Sequence, residues 1–272
     1  MTAAPTLSPA AVRRLTELLE SRTGQQLASY RSWRLDTALK PLLRARDLHS
    51  FDELVARLDD RALADQVVDA LVNGETSFFR DAPVFDAIAE AVAAIEAQGR
   101  RPRIWCAGCA TGQEPLSLAI QFAENAPRMP EIVATDVSDG AIARARAGRY
   151  TQFEVQRGLP IRRLLRWFEG DGTPDWTAKP ELTRQIQYRR ANLVADPAPA
   201  GRFDLILCRN VLLYLSPQAK PAVFERFAGA LRPGGLLVLG AGETVIGQTR
   251  LFEPSRHNRG LYIKASASEL AA

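Results

Sequence analysis

The spacing of apolar residues changes near residue 80. Before that point apolar positions recur every three or four residues, as in short amphipathic helices, and no alternating β-pattern occurs. Ser8 and Pro9 form a favourable helix start, and Gly24 a favourable stop, so a first helix is predicted between them. Further helices are predicted over 29–46 with a kink at Pro41, after a Ser50/Glu53 capping box, and around 63–71. Residues 1–80 are therefore predicted to form an N-terminal helical domain.

Beyond residue 80 short apolar strands alternate with helical segments, which is typical of a parallel sheet covered on both faces. The predicted strands are 103–107, 132–135, 203–208, 236–239 and 261–264, and the predicted helices are 114–124, 139–147 and 218–231. Residues 151–191 interrupt this alternation with a helix over 161–168, a turn-rich segment and a hairpin that ends in QIQYRR. We predict an α/β domain over 81–272 with a small β-subdomain inserted at one edge of the sheet.

Composition limits the class of protein. No apolar run approaches the roughly 18 residues that a membrane span needs, and the N-terminus lacks the order of a secretory signal, so a cytoplasmic protein is expected. Cys106, Cys109 and Cys208 are too few for a disulfide scaffold and lack the further ligands of a zinc site, so no metal is predicted, although the CxxC leaves a redox pair open. The net charge of +4 and the pI of 9.2 are compatible with nucleic acid, a membrane surface or an acidic protein face.

One loop carries the pattern of a nucleotide site. The strand RIWCA runs into GCATGQEP, so Gly108 and Gly112 stand in a βα turn, and Asp136 ends the next predicted strand, where an acid can bind ribose hydroxyls. The spacing is not GxGxxG, and Glu114 at the start of the following helix would repel a pyrophosphate. S-adenosylmethionine has no phosphate, and its amino group could pair with Glu114.

Several motifs resemble those of the CheR family of chemoreceptor methyltransferases: NGETSFFRD, GCATGQEPLSLA, ATDVS, ILCRNVLLYL and LRPGG. The resemblance covers nearly the whole chain. It implies a class I (Rossmann-like) methyltransferase sheet with an inserted β-subdomain, and S-adenosylmethionine as methyl donor, with S-adenosylhomocysteine as product. It also implies glutamate side chains on the helical bundle of a chemoreceptor as acceptors, which become methyl esters. Transferred position by position, it implies cofactor contacts at Thr76, Arg80, Ala107, Gly108, Glu114, Asp136, Asn192, Leu193, Arg209 and Asn210.

Arg80 and Tyr214 form the predicted reaction centre. A glutamate carboxylate, with a pKa of about 4.3, is already ionised at pH 7, so its attack on a methyl group needs no general base. Arg80 is expected to orient this carboxylate, and Tyr214 to hydrogen-bond it or to cap the cofactor. Without the resemblance, the sequence favours a surface arginine at a helix start for Arg80 and a half-buried core aromatic for Tyr214. Phe78 and Phe79 are expected to pack between the two domains, and stacking on the adenine of the cofactor is the alternative.

The second predicted helix is rich in basic residues, which suggests a partner surface beside the cofactor site. These residues are Arg31, Arg34, Lys40, Arg44 and Arg46. The resemblance implies that this helix docks on the receptor, and the alternative is an ordinary solvated face. Some family members also bind a peptide from the receptor tail at the edge of the β-subdomain. The turn EGDGTPDW looks shorter here, so an enzyme that is independent of such a tether is expected. A monomer is also expected, and no appended module after the last strand.

Three other functions remain open from sequence. The acceptor could be RNA or a small molecule, although the stripe of basic and aromatic residues typical of nucleic-acid binding is missing, so no nucleic acid is expected. A non-catalytic S-adenosylmethionine-binding scaffold is disfavoured by the presence of Arg80 and Asp136. A dehydrogenase is disfavoured by the missing third glycine and by Glu114. Comparing the affinities for NADH and S-adenosylmethionine would separate the dehydrogenase from the others.

Overall fold

The chain forms two compact units. The computed structural model describes residues 7–27, 32–256 and 260–266. The first unit comprises Met1–Asn73 together with Tyr214–Ala219, and the second comprises Gly74–Leu213 and Lys220–Ala272. Among the described helices none is both long and apolar enough to cross a membrane.

The first unit contains the predicted helices. They are α1 (Pro9–Thr23), α2 (Ser32–Ala45), α3 (Phe51–Ala56) and α4 (Arg61–Leu71). The Ser8 hydroxyl caps α1 by accepting from the Ala11 amide at 3.1 Å, and Gly24 ends it with a φ of 72°. Apolar residues four positions apart on α1, α2 and α4 are buried together with Phe51, so one apolar core accounts for the helical spacing. The predicted first residues of the second helix, 29–31, lie outside the described residues.

A later stretch of chain completes this unit. The Gln26 amide donates to the Tyr214 carbonyl at 2.7 Å, and the Ser216 amide donates to the Gly24 carbonyl at 3.0 Å. Between these bonds Gln25 and Leu215 form an antiparallel bridge. Tyr214 therefore belongs to the first unit, although its neighbours in sequence up to Leu213 belong to the second.

The second unit alternates strands and helices from α5 onwards. Its helices are α5 (Ala82–Glu96), α6 (Gln113–Asn125), α7 (Asp139–Ala147), α8 (Gln152–Gln156), α9 (Ile161–Trp167), α10 (Pro180–Thr183) and α11 (Lys220–Ala230). Its strands are β1 (Arg103–Ala107), β2 (Glu131–Asp136), β3 (Arg149–Thr151), β4 (Phe168–Gly170), β5 (Asp175–Ala178), β6 (Ile186–Arg190), β7 (Phe203–Cys208), β8 (Leu231–Leu239), β9 (Phe252–Pro254) and β10 (Leu261–Lys264). A 3-10 turn covers Leu212–Tyr214.

Seven of these strands form the main sheet, in the order β6-β2-β1-β7-β8-β10-β9. The first five of that order run parallel, while β10 is antiparallel to β8, and β9 to β10. A second, antiparallel sheet has the order β3-β5-β4. This architecture confirms the predicted α/β class with a Rossmann-like sheet and helices at the N-terminus.

The predicted hairpin ending in QIQYRR is wrong. Ile186–Arg190 forms β6, which pairs in parallel with β2 and lies at the edge of the main sheet. Ile186 and Tyr188 are buried while Gln187 is exposed, and this alternation fits an edge strand as well as a hairpin. A parallel partner needs a long crossover, and the residues of the small sheet lie within that crossover.

Phe78 and Phe79 pack inside the second unit rather than in the predicted position between domains. Phe78 meets the rings of Tyr150 and Phe168 edge-on, with centroids 5.1 and 5.6 Å away. The ring of Phe79 lies 5.3 Å from that of Phe85. Tyr150 and Phe168 belong to the small sheet and Phe85 to α5, so the partners of the two phenylalanines could not be read from one local pattern.

Candidate cofactor site

The ends of four adjacent parallel strands bring most of the predicted cofactor residues to one edge of the main sheet. Ala107 ends β1, Asp136 ends β2, Asn192 follows β6, and Arg209 follows β7. Chain order reverses at β1, with β2 on one side and β7 on the other. In open α/β sheets ligands bind outside the carboxyl ends of the strands at such a switch point. The fold therefore places the predicted site where this class of sheet binds ligands.

The glycines of the β1 loop are required by close packing. The amides of Gly108 and Cys109 both donate to the Thr135 carbonyl, at 2.8 and 2.9 Å. Gly108 has a φ of 83°, and a Cβ there would lie 2.5 Å from a methyl carbon of Val211. Gly112 has a φ of 92°, which also favours glycine. Gly108 thus allows the β1 loop to lie directly against the loop after β7.

Asp136 joins the β1 loop to the end of β2. One carboxylate oxygen accepts from the Ala110 amide at 2.8 Å, and the other from the Ser138 amide at 3.0 Å. The following helix, α7, is capped by the Ser138 hydroxyl, which accepts from the Ala141 amide at 3.0 Å. Asp136 is 8% exposed, so its charge lies at the edge of the buried region.

Arg209 is a buried cation that holds three groups. Its side chain is 3% exposed, and Nη1 contacts Glu114 Oε2 at 3.1 Å. Nη2 donates to Asp81 Oδ2 at 2.7 Å and to the Arg80 carbonyl at 2.9 Å. Burial raises the pKa of the Glu114 carboxyl, and the Arg209 guanidinium opposes that rise. Through these three bonds the Arg209 guanidinium holds Glu114 and the Arg80 segment in place.

The segment around Arg80 has an unusual backbone. Phe79 and Asp81, on either side of Arg80, have φ values of 45° and 58°, which cost of order 1–3 kcal/mol each for non-glycine residues. The Phe79 amide donates to the buried Ser117 hydroxyl at 3.0 Å, which helps to hold this shape. Within the described parts of the chain, the half-buried Arg80 guanidinium makes no hydrogen bond or ion pair, only a longer-range attraction to Glu114.

Asn210 presents a buried acceptor. Its φ is 59°, and its side-chain Oδ1 is buried with no hydrogen-bond partner among the residues that the structure describes. Its amide donates to Glu243 Oε2 at 2.7 Å. Glu243 was missed from sequence, and the signal that could have found it is an acid just after the end of β8, a central parallel strand.

The remaining predicted site residues are Asn192, Leu193, Thr76 and Tyr214. Asn192 Oδ1 accepts from the Val194 amide at 2.8 Å, and the Leu193 carbonyl accepts from the Arg226 guanidinium. Thr76 lines a cleft of about 430 Å³ in the second unit. The other lining residues of this cleft are Gly74, Glu75, Thr111, Gln113, Arg144, Thr151, Phe153, Glu154 and Arg157. Tyr214 lies in the first unit and is half-buried.

The cysteines lack the properties of a redox pair. Cys106 and Cys109 are fully buried, and burial raises the pKa of both thiols well above the usual value. Because the thiolate is the reactive form, this environment disfavours thiol chemistry.

The set of side chains at the strand ends fits S-adenosylmethionine. Glu114 and the orphaned oxygen of Asn210 are acceptors suited to an ammonium group, and the carboxylate of Asp136 is suited to ribose hydroxyls. Glu114 at the start of α6 is unsuited to a phosphate.

Comparisons with known proteins agree with this chemistry. The family profile of the CheR methyltransferase, SAM binding domain, matches residues 74–261. Chemotaxis protein methyltransferase 1 of Pseudomonas aeruginosa is 37% identical over 239 residues, which are 84% of this chain and 87% of that protein. The chemotaxis protein methyltransferase of Vibrio parahaemolyticus is 36% identical over 269 residues, 95% of this chain and 98% of that protein. Chemotaxis protein methyltransferase Cher2 of Pseudomonas putida is 33% identical, covering 91% of this chain and 94% of that protein.

Proposed function

This chain belongs to the CheR methyltransferase family, and we infer that it transfers a methyl group from S-adenosylmethionine to glutamate side chains of chemoreceptors, forming methyl esters. The observation that carries this proposal is the pair of acceptors Glu114 and Asn210 at the carboxyl edge of the sheet, inside the part of the chain that matches the family. Both suit the ammonium group of the donor.

The donor supplies an electrophilic methyl group on a positively charged sulfur. We propose that Glu114 and the Asn210 amide oxygen hold its ammonium group, and that Asp136 binds its ribose hydroxyls. Ala107 and Gly108 contribute backbone at the end of β1, while Thr76, Asn192, Leu193 and Arg209 complete the proposed cofactor set. Arg209 contributes by holding Glu114, to which its Nη1 donates at 3.1 Å.

Arg80 is the proposed alignment residue for the acceptor. The acceptor carboxylate is ionised at neutral pH, so this chain has no proton to remove, and placement becomes the main task. The guanidinium is without a described hydrogen bond, while the backbone on both sides is fixed by Arg209 and Ser117. A planar guanidinium that makes no described hydrogen bond, on a backbone that is held in place, is suited to orienting a carboxylate. Tyr214 remains a second candidate for contacting that carboxylate.

We propose that α2 docks on the acidic helical bundle of the receptor. Arg34 donates to the side-chain oxygen of Asn73 at 2.9 Å, and Arg46 donates to that of Gln66 at 2.8 Å. These partners are neutral amides, so the positive charges are not cancelled, and Arg44 is exposed. Lys40 is paired with Asp36 at 2.5 Å and contributes less. Arg31, also predicted for this surface, lies outside the described residues. A cytoplasmic, monomeric enzyme that needs no tethered tail peptide remains our prediction from sequence.

The proposed reaction is tested by incubating the chain with S-adenosylmethionine labelled in the methyl group and a receptor cytoplasmic fragment. Label that is bound to the fragment and released as methanol in alkali is the expected result, because carboxyl methyl esters hydrolyse in base. Alkali-stable label, or no transfer, would contradict the proposal.

The docking surface is tested with Arg44→Ala, which should raise the KM for the receptor fragment without changing the affinity for S-adenosylhomocysteine. Arg14→Ala is the matched control, because Arg14 is an exposed arginine of α1. An equal KM for the two variants would argue against docking through α2.

A further inference from the structure

We propose that Glu243 is a positioning residue for methyl transfer, because its carboxylate fixes the two loops that present the Asn210 side chain to the cofactor. This inference rests on the proposed function, since it assigns Asn210 Oδ1 to the ammonium group of S-adenosylmethionine.

The Glu243 carboxylate accepts from four backbone amides. Oε2 accepts from Asn210 at 2.7 Å and from Gly240 at 2.8 Å. Oε1 accepts from Val211 at 2.9 Å and from Leu213 at 3.2 Å. Three of these donors lie in the loop after β7, and one lies just after β8. A single side chain therefore ties together the loops that follow two adjacent parallel strands.

These bonds explain why Glu243 acts through other residues. A carboxylate has about four lone-pair sites, and here each oxygen already accepts two amides. Little capacity is left for a direct bond to a ligand. What the four bonds determine is the path of the backbone at Asn210, where φ is 59°.

Gly240 leaves the space that the Asn210 amide group occupies. A Cβ on Gly240 would lie 2.8 Å from the Asn210 backbone nitrogen and 2.8 Å from its Nδ2. The asparagine side chain thus lies directly against the glycine backbone. Its other end, Oδ1, is buried without a hydrogen-bond partner in the described structure. A buried acceptor without a donor is costly, and a donor from a bound ligand would satisfy it.

Electrostatics favour a cationic ligand at the same place. Burial is the main cause of the raised pKa of Glu114 and of Cys208, and the charge of Glu243 adds to both, so its negative field reaches the first turn of α6 and the end of β7. A positively charged ammonium group bound by Glu114 and Asn210 would be stabilised by the carboxylates of Glu114 and Glu243.

Calorimetric titration with S-adenosylhomocysteine tests this role in the full chain. Glu243→Gln keeps the size of the side chain but places a donor group against two backbone amides, and Gly240→Ala displaces Asn210. Each should weaken binding by about tenfold or more, the factor expected from losing about one well-placed hydrogen bond. Glu253→Gln on β9 and Gly242→Ala in the same loop are the matched controls. Glu253 is exposed, and an added Cβ on Gly242 meets no described atom within 4 Å.

Steady-state kinetics separate positioning from a general loss of stability. Glu243→Gln should raise the KM for S-adenosylmethionine and lower kcat, while the KM for the receptor fragment stays unchanged. Unchanged affinity for S-adenosylhomocysteine in a folded Glu243→Gln protein would overturn the inference, whatever its melting temperature. If Glu243→Gln does not fold, Gly240→Ala decides, because it retains the carboxylate. Failure of the unmodified chain to bind S-adenosylhomocysteine would instead refute the proposed function.

Discussion

Replacing Arg209 by methionine tests the central ion pairs of the site. The arginine side chain is 3% exposed, and its partner Glu114 is 13% exposed. Removing one member of a buried pair costs about 3–5 kcal/mol, because the remaining charge stays buried without compensation. The second partner, Asp81, is 43% exposed, so water screens it and its pair adds little. We therefore expect a loss of about 3 kcal/mol in the free energy of unfolding at pH 7, or a fall in Tm of roughly 6–12 °C for a unit of this size.

The dependence of this loss on pH identifies its cause. Burial raises the pKa of Glu114, and Arg209 lowers it, so the variant should have a still higher Glu114 pKa. A carboxyl group whose pKa is higher in the folded than in the unfolded protein stabilises the folded state at pH values below its unfolded-state pKa. This stabilisation is lost as the pH rises through the folded-state pKa. The deficit of Arg209→Met should therefore shrink as the pH falls and Glu114 becomes protonated. Denaturant unfolding at neutral and acidic pH measures both quantities, with Arg57→Met, a surface change, as the control. A deficit below about 1 kcal/mol at pH 7, or one that is constant with pH, would refute the reasoning.

Three further predictions concern binding and turnover. Arg80→Ala should leave the Kd for S-adenosylhomocysteine nearly unchanged but reduce kcat by about a hundredfold, since misplacement of a reacting group has that order of effect; equal losses in both would contradict an alignment role. Asp136→Ala should weaken that binding in calorimetry by about tenfold, and an unchanged Kd would remove Asp136 from the ribose site. Because the pKa of Glu114 is raised from 4.5, the affinity for S-adenosylhomocysteine should decline on acidification at a higher pH than it would with an ordinary glutamate. Glu114→Gln should make this affinity less dependent on pH.

Local patterns were sufficient for most of the secondary structure. The strand 103–107 and the last strand 261–264 were predicted with their observed limits, and Ser8, Gly24 and Ser50 mark helix ends as expected. These signals depend on residues that are close in sequence. The position of β6 depends instead on a partner strand about fifty residues earlier, and an alternating pattern does not encode that choice.

The candidate site likewise combines features that local sequence predicts with features that depend on distant partners. Motif positions identified the residues at the strand ends, because a parallel sheet brings consecutive carboxyl ends to one edge. The roles of Arg209 and Glu243 escaped prediction, because each holds groups that are distant in sequence, such as Asp81 for Arg209 and Asn210 for Glu243. Contacts of this kind are defined by the tertiary fold alone.

The antiparallel bridge between Gln25 and Leu215 has a consequence for biosynthesis. Because the first unit includes Tyr214–Ala219, its helices leave the ribosome long before their last partner is made. The last backbone contacts of this unit therefore require closure of a loop of almost two hundred residues, which is entropically slow. A chain cut after residue 73 would lack those backbone hydrogen bonds permanently, so excising the helices as an isolated fragment should yield a less stable product than their apolar core suggests.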